Sequence, residues 1–481
     1  MHRPFHLSSR SILTAVVCAA VCLLPHIGSA QFQPDTPQVD LPVVVLGGTV
    51  NGNKTTKEHI ILRELTVREG DTLGVKALYR ELDRSRQNLQ NLGLFNTVQV
   101  LPLWVSPTEA IIEVTVNERW YLWPNPIFEL ADPNFNTWWR TRDPSRLNYG
   151  IFLTKYNFRG RNETVFLQLQ FGYAQQFGLR YRVPWIDRKQ HWGMSVGGGW
   201  FQQKEITIGT VDNVRVFHSP TKGNAREETH ADVEVTYRRQ HDVRHSLRLG
   251  FTQADVVDSV ALRAPDYFND TATHTRFLSL GYTVSWDRRD VRVFPRRGHF
   301  ADLRVLRNGL GLLDEQAPNT TTVFASVNKW LPVRERYTFN ASVRGKATFG
   351  GPVPYFTQEG LGYSSNAVRG FEYYVIDGQH WLLGRANIVY TLVKPLVRRA
   401  EFMPLEEFRT FNLALYLHAF VDAGHVWDAR YAERNFLDNE WQSGSGLGLD
   451  LVTSYDQIIR LEYSFNSIGE QGIYLHFTQP F

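Results

Sequence analysis

Cysteine is almost missing from this 481-residue chain: Cys18 and Cys22 are the only two. Every later residue lacks a thiol, which excludes a disulfide scaffold, a Cys-ligated zinc and a cysteine nucleophile. Long apolar runs are missing too. No stretch reaches the 18 residues or so that a spanning helix needs, and mean hydropathy is -0.30, so a bundle of transmembrane helices is excluded. Neither sign of charge is in excess, with 52 Lys and Arg against 48 Asp and Glu. No global field therefore marks a nucleic acid as partner. Charged residues make up only 21%, too few for a disordered chain. What is abundant is glycine and aromatic residues: 36 Gly beside 30 Phe, 20 Tyr and 13 Trp.

The first residues read as an address. Arg3 and Arg10 precede an apolar stretch from Ile12 to Leu24, and Gly28-Ser29-Ala30 supplies the small residues of a cleavage site. Residues 1–30 are therefore expected to be a signal peptide, with 31–42 as a linker. Bulky Val21 before Cys22 argues against a lipoprotein anchor.

Residues 43–119 have the pattern of a small α+β module. Val43 to Leu46 reads as a strand, and Thr55 as the N-cap of a first helix, with Glu58 three residues on. Asp71 or Thr72 is the expected cap of a second helix, whose Leu78, Leu82, Leu89 and Leu92 share one face and which Gly93 stops. Phe95–Val100 and Ile111–Val116 then alternate around a turn at Pro107-Thr108.

After Trp120 the helical period disappears. Leu413, Leu415, Leu417, Ala419 and Val421 alternate with Asn412, Ala414, Tyr416, His418, Phe420 and Asp422, and Ile473, Leu475 and Phe477 with Gly472, Tyr474 and His476. Arg460 and Glu462 fall on the inner parity beside Leu461. One apolar face and one mixed-polar face is the pattern of a transmembrane β-barrel with water inside. The segments number sixteen, from 126–131 to 471–481, an even count as closure requires. Tight turns and long connections alternate, with 396–408 too long and 466–470 too short for the scheme. The segment near 211–218 reads as a hairpin within a long loop, and Pro124 and Pro126 limit hydrogen bonding by the first strand.

The connection 350–378 is unusual. Gly360, Gly362, Val368, Gly370 and Phe371 make it apolar and glycine-rich, suited to a loop folded back into the barrel. Arg369 would then be a cation in the lumen that requires a carboxylate, and Asp422 shares the inward parity. From the residues alone, the alternative of a solvated Arg369 with Asp422 opening an ordinary loop stays open.

Several motifs together resemble one family. Leu92-Gly93-Leu94-Phe95-Asn96-Thr97-Val98, with the strand–helix–helix–strand–strand order, resembles a polypeptide-transport-associated (POTRA) domain. Val368-Arg369-Gly370-Phe371 is similar to the loop tetrad of the BamA/TamA superfamily, the bacterial surface antigen family. Phe420, Asp422 and Gly424 match its Phe-x-Asp-x-Gly strand end, and Asp287, Arg289, Asp290, Pro295 and Gly298 its strand-turn motif. Tyr474, Phe477 and Phe481 resemble the C-terminal β-signal of outer-membrane proteins.

The resemblance implies a mostly-β fold: a 16-stranded antiparallel barrel over 120–481 behind one periplasmic POTRA domain. Arg369 would be held inside by Asp422, with Phe371 and Phe420 packed around the pair. Expected partners are unfolded outer-membrane or secreted polypeptides, captured by edge pairing, together with outer-membrane lipids and accessory lipoproteins; no nucleic acid and no cofactor are expected. With one POTRA domain, the choice between inserting barrels and secreting a partner is open.

An enzyme is not expected. Gly193-Met194-Ser195-Val196-Gly197 fits the serine-hydrolase expression but lies within a barrel strand, not a strand-to-helix elbow. His241 and His245 bracket a turn without a metal-site pattern, so no metal is expected. A passive channel on the same scaffold is the alternative of a different class.

Overall fold

The computed structural model describes residues 41–130, 147–314, 317–363 and 365–478. The expected signal peptide, most of the linker and Phe481 lie outside the described residues. Among the described residues no helix is long and apolar enough to cross a membrane.

The first module contains β1 (Pro42–Asn51), α1 (Glu58–Leu62), β2 (Thr72–Gly74), α2 (Val75–Gln90), β3 (Phe95–Ser106) and β4 (Glu109–Glu118). The sheet order is β2-β1-β4-β3, with β1 parallel to β4 and β3 along one edge. Leu78, Leu82 and Leu89 bury the inner face of α2 against Val43, Val98, Ile112 and Val114. Gly93, at φ +72°, supplies the left-handed turn after the helix. The helix starts differ from the sequence reading. Thr55 caps nothing: α1 begins after Lys57, while the Thr55 and Thr56 N–H groups donate to the Glu118 carboxylate at the end of β4. Asp71 and Thr72 do not cap α2 either, because Thr72–Gly74 pairs with β1 and α2 starts after Gly74. In both places a long-range partner displaces the local cap.

The remaining chain forms one sixteen-stranded sheet in which successive strands pair antiparallel, curled into a barrel. Its first five strands are β5 (Leu122–Leu130), β6 (Leu147–Phe158), β7 (Glu163–Gly172), β8 (Ala174–Val183) and β9 (Trp192–Gln203). A separate hairpin, β10 (Ile206–Val211) and β11 (Val214–His218), stands in the loop after β9, as expected for the segment near 211–218. The sheet continues with β12 (Arg226–Tyr237), β13 (Val243–Val256), β14 (His274–Asp287), β15 (Gly298–Asn308), β16 (Thr320–Arg334) and β17 (Tyr337–Gly350). It ends with β18 (His380–Arg399), β19 (Thr410–Trp427), β20 (Trp441–Thr453), β21 (Ile458–Asn466) and β22 (Gln471–Thr478).

Parity follows the sequence. Leu417, Val421, Leu461, Ile473, Leu475 and Phe477 are exposed on the outer face, whereas Asp422, Asp450 and Glu462 are buried within. The overlong turn at 396–408 arises because β18 and β19 run past their neighbours, leaving 400–409 with a short helix, α3 (Glu406–Arg409). The first strand begins four residues earlier than expected, at Leu122. The Tyr156 N–H donates to the Tyr121 carbonyl (2.8 Å), so odd-numbered residues of β5 address β6 and Pro124 and Pro126 face the free edge. Among the described residues no backbone ladder joins β5 to β22.

The first module sits on the rim formed by the short turns. The Lys57 N–H donates to Gly160 O between β6 and β7, and Arg63 to Gln190 O between β8 and β9. Between β12 and β13, Arg238 donates twice to the fully buried Glu64 (3.0 and 3.1 Å), and Asp242 accepts from Arg84. Further round the rim, Asn91 meets Asp290 and Arg292, Asn96 donates to Glu407 O, and Arg119 pairs with Asp456 (2.7 Å). Burial pushes the Glu64 carboxyl up, but the Arg238 and Arg63 guanidinium groups override this and hold it below its ordinary range.

Candidate functional site

The long connection between β17 and β18 folds back against the inner wall. Its two arms meet at single bridges, Leu361 with Ile376 and Tyr363 with Asn366. Val368, Phe371, Leu361 and Ile376 pack with Trp381, Leu383, Val426 and Leu437 in a buried apolar cluster. That cluster anchors the loop, and its tip delivers Arg369 to the wall.

Arg369 is nearly enclosed. Its Nε donates to Asp422 Oδ2 (2.8 Å) and its Nη2 to Asp422 Oδ1 (2.6 Å), the two-pronged geometry in which a guanidinium holds a carboxylate best. Nη1 donates to Glu462 Oε1 (3.1 Å) on β21 and Nη2 also to Asn387 Oδ1 (2.8 Å) on β18. The Phe420 ring lies under the guanidinium, 3.7 Å from its carbon. Phe371 instead belongs to the apolar cluster.

The charges continue along the wall. Arg385 Nε lies 3.6 Å from Asp422, and Arg460 Nε donates to Asp450 Oδ1 (2.6 Å). His418 sits between Asp450 (2.9 Å) and Glu462 (3.0 Å), and His476 of β22 approaches Glu462 at 3.3 Å. Arg369, Arg385 and Arg460 thus face Asp422, Asp450 and Glu462, so the formal charge of the three pairs balances in a region largely closed to water.

The wall makes room through glycine. Gly444, Gly446 and Gly448 point inward from β20; a Cβ at Gly444 would stand 1.8 Å from the Arg369 carbonyl, and one at Gly448 2.4 Å from the His418 ring. A Cβ at Gly424, on β19, would meet Val368 at 2.6 Å. Gly370 takes φ +95° where the loop backbone presses on Phe465 and Asn466.

The other motif residues lie elsewhere. Asp287 holds Arg289 with two 2.8 Å bonds, Asp290 accepts from the Val291 and Arg296 N–H groups, and Gly298 has φ +114° against Arg288 O. The turn that contains Pro295 sends Phe294 across to stack on Tyr416 of β19 (4.2 Å), near the turn rim. Tyr474 is buried and Phe477 exposed on β22. Ser195 lies within β9, paired to β8 and β12, with its Oγ 3.4 Å from Arg180. His241 meets the Arg63 carbonyl (3.1 Å), and His245 the Tyr282 hydroxyl (2.8 Å). Among the described residues no group of three His, Cys, Asp or Glu side chains is placed to hold a metal ion.

Sequence reasoning placed Glu462 and His418 on the inner parity without assigning their partners, and missed Asn387, Arg385 and Asp450. The alternating glycines 444, 446 and 448 were the available signal for the close approach.

Comparison with known proteins agrees with this architecture. Residues 157–478 match the Omp85 superfamily domain, and residues 48–119 match the POTRA model described as a surface antigen variable number repeat. Among solved structures, BamA from Haemophilus ducreyi lacking POTRA domains 1–3 is similar at 16% identity and TM-score 0.51, over 90% of this chain and 84% of that one. CdiB from Acinetobacter baumannii follows at 12% identity and TM-score 0.48 (90% and 73% covered), and CdiB from Escherichia coli at 11% and 0.49 (99% and 99% covered). No curated protein sequence matches the chain. The family model spans most of the barrel and the loop with its wall lie inside it: the chain belongs to the Omp85 superfamily, with a POTRA domain before an outer-membrane barrel.

Proposed function

We propose that this protein inserts outer-membrane barrels or passes polypeptides across the outer membrane, with no chemical step of its own. The observation that supports this reading best is the loop of Val368–Phe371, clamped to the inner wall through Arg369 and Asp422 behind a single POTRA domain. The loop is bound by charge-assisted bonds to three strands of the wall, which favours an element coupled to the barrel wall over a simple constriction.

In this reading the POTRA domain faces the periplasm and takes hold of unfolded chains at the β3 edge. Leu101, Leu103, Trp104 and Val105 stand exposed along that edge strand, and unpaired backbone groups accept a partner of any sequence. The β5–β22 junction is the seam that admits client strands or thins the membrane. Lipids of the outer membrane cover the exposed apolar wall, and accessory lipoproteins are further candidates for partners.

Depletion in the native host tests the proposal. Outer-membrane protein levels or secretion should fall; if both stay unchanged, the proposal fails. Planar-bilayer recording separates the channel reading: small flickering currents fit a plugged assembly factor, and a large steady conductance indifferent to removal of the POTRA domain overturns it.

A further inference from the structure

The tucked loop does more than meet β19. After Arg369 it runs along the last hairpin and meets it through residues 370 and 372–374. The Gly370 carbonyl accepts from Asn466 Nδ2 (2.7 Å) at the end of β21. Glu372 turns back to accept the Gly370 N–H (2.8 Å) and presents its other oxygen to His476 of β22 at 3.9 Å. The Tyr373 ring lies 5.8 Å from that of Tyr474, and the Tyr374 hydroxyl donates to Glu470 in the β21–β22 turn (2.8 Å). His476 also lies 3.3 Å from Glu462, the carboxylate that takes Arg369.

The pattern matters because of what β22 lacks. Interior strands of the sheet are held on two sides, whereas β22 is paired along β21 alone among the described residues. A strand with one ladder and one free edge is the easiest to peel away. Here a further support reaches it from inside, through its inward side chains.

We infer that residues 369–374 brace the terminal strand, and that His476 is the positioning residue through which the state of the lumen loop reaches the β5–β22 seam. Glu462 is the shared anchor: loss of Arg369 removes a donor that fixes this carboxylate and lets the 370–374 contacts to the last hairpin go with the loop, and loss of His476 frees the strand while the Arg369–Asp422 clamp stays intact. The inference rests on the seam reading above. It adds that the loop sets how far the seam opens.

Spin labels test it in the full mature chain, which has no cysteine of its own. Phe128→Cys and Ile473→Cys place one label on the outer face of each seam strand, where both side chains are exposed. Leu249→Cys with Leu280→Cys is a control pair on neighbouring strands β13 and β14. In folded protein, judged by heat-modifiable gel mobility, Arg369→Ala and His476→Ala should each broaden the seam distances and shift them longer. The double variant should go no further, His476→Gln, which keeps a donor, should stay near wild type, and the control pair should not move. An unchanged seam in His476→Ala overturns the inference, as does movement of the control pair together with the seam. If His476→Ala does not fold, Glu372→Gln and Tyr373→Ala replace it, and an unchanged seam in both overturns the inference. A seam that answers to the loop in a protein whose depletion alters no outer-membrane protein or secretion sinks the proposed function and leaves the brace standing.

Discussion

Two of the arginine–aspartate pairs on the inner wall, Arg369–Asp422 and Arg180–Asp232, have shortest contacts of 2.6 Å each. Arg369 and Asp422 have side-chain exposures of 9% and 0%; Arg180 and Asp232 have 36% and 2%, with Arg248 sharing the same aspartate from an even more open position. The loop makes the difference. It covers Arg369 and Asp422 and withdraws both partners from water, whereas at the second site Asp232 is buried but its partners Arg180 and Arg248 stay open to the lumen. Water reaching the arginines screens the second site, whereas breaking the covered pair strands a charge at a cost of about 3–5 kcal/mol. Contact length does not tell which ion pair holds a structure; what lies over it does.

The largest expected effect comes from uncovering that contrast. Arg369→Ala should destabilise the barrel by about 3–5 kcal/mol, because Asp422 and Glu462 lose a buried partner. Asp422→Ala should behave alike, and the double variant should be little worse than either single one, since the pair acts as a unit. Arg180→Ala should cost less, because Arg248 still pairs with the buried Asp232 (2.7 Å), and salt should weaken its effect further. Heat-modifiable gel mobility and urea midpoints in detergent read all four variants; equal losses at both sites would erase the distinction.

Gly444→Ala tests whether the cover is fitted to the wall. A methyl at that position meets the Arg369 carbonyl, so a loss of about 1–3 kcal/mol is expected, as for other overpacked sites. Alanine at Gly209, where nothing lies within reach of a Cβ, should cost far less.

The mildest perturbation, a change of pH that leaves neutral conditions unaffected, concerns another buried carboxylate, at the turn rim. Glu64 is held below its ordinary carboxylate range in the folded state, so its contribution to docking is complete above the unfolded value near 4.5 and is lost as pH falls through the lower, folded value. Hydrogen exchange in the 238–242 turn should stay slow from neutral to mildly acidic pH and quicken only under stronger acid. Glu64→Gln should quicken it from neutral to mildly acidic pH and converge with the wild type once the carboxyl is protonated.

How far these features could be read in advance depends on their range. Alternation such as Leu413 to Val421 locates strands, because each residue reports its own face and the sixteen-strand sheet follows the sequence order. Arg369 and Asp422 were legible together because each sits in a recognisable motif. Glu462 was not assigned to Arg369, since inward parity does not say which inward residues a curled wall brings together. The caps failed at Thr55 and Thr72 for a related reason: a carboxylate on β4 and a ladder with β1, both distant in sequence, outbid the local option. The docking of the POTRA domain left no local signature, because Glu64 meets Arg238 across 174 positions of chain.

The prolines of β5 have a consequence for the mechanics of the ring. Pro124 and Pro126 turn their donor-less nitrogens toward the vacant side, whereas β22, Gln471–Thr478, contains no proline. Any ladder zipped across that gap forgoes two N–H···O links, each worth about 0.5–1.5 kcal/mol. A hoop yields at its poorest joint, so stretching or warming the cylinder should unfasten it there before the staves from β6 to β21, each paired on both sides, let go.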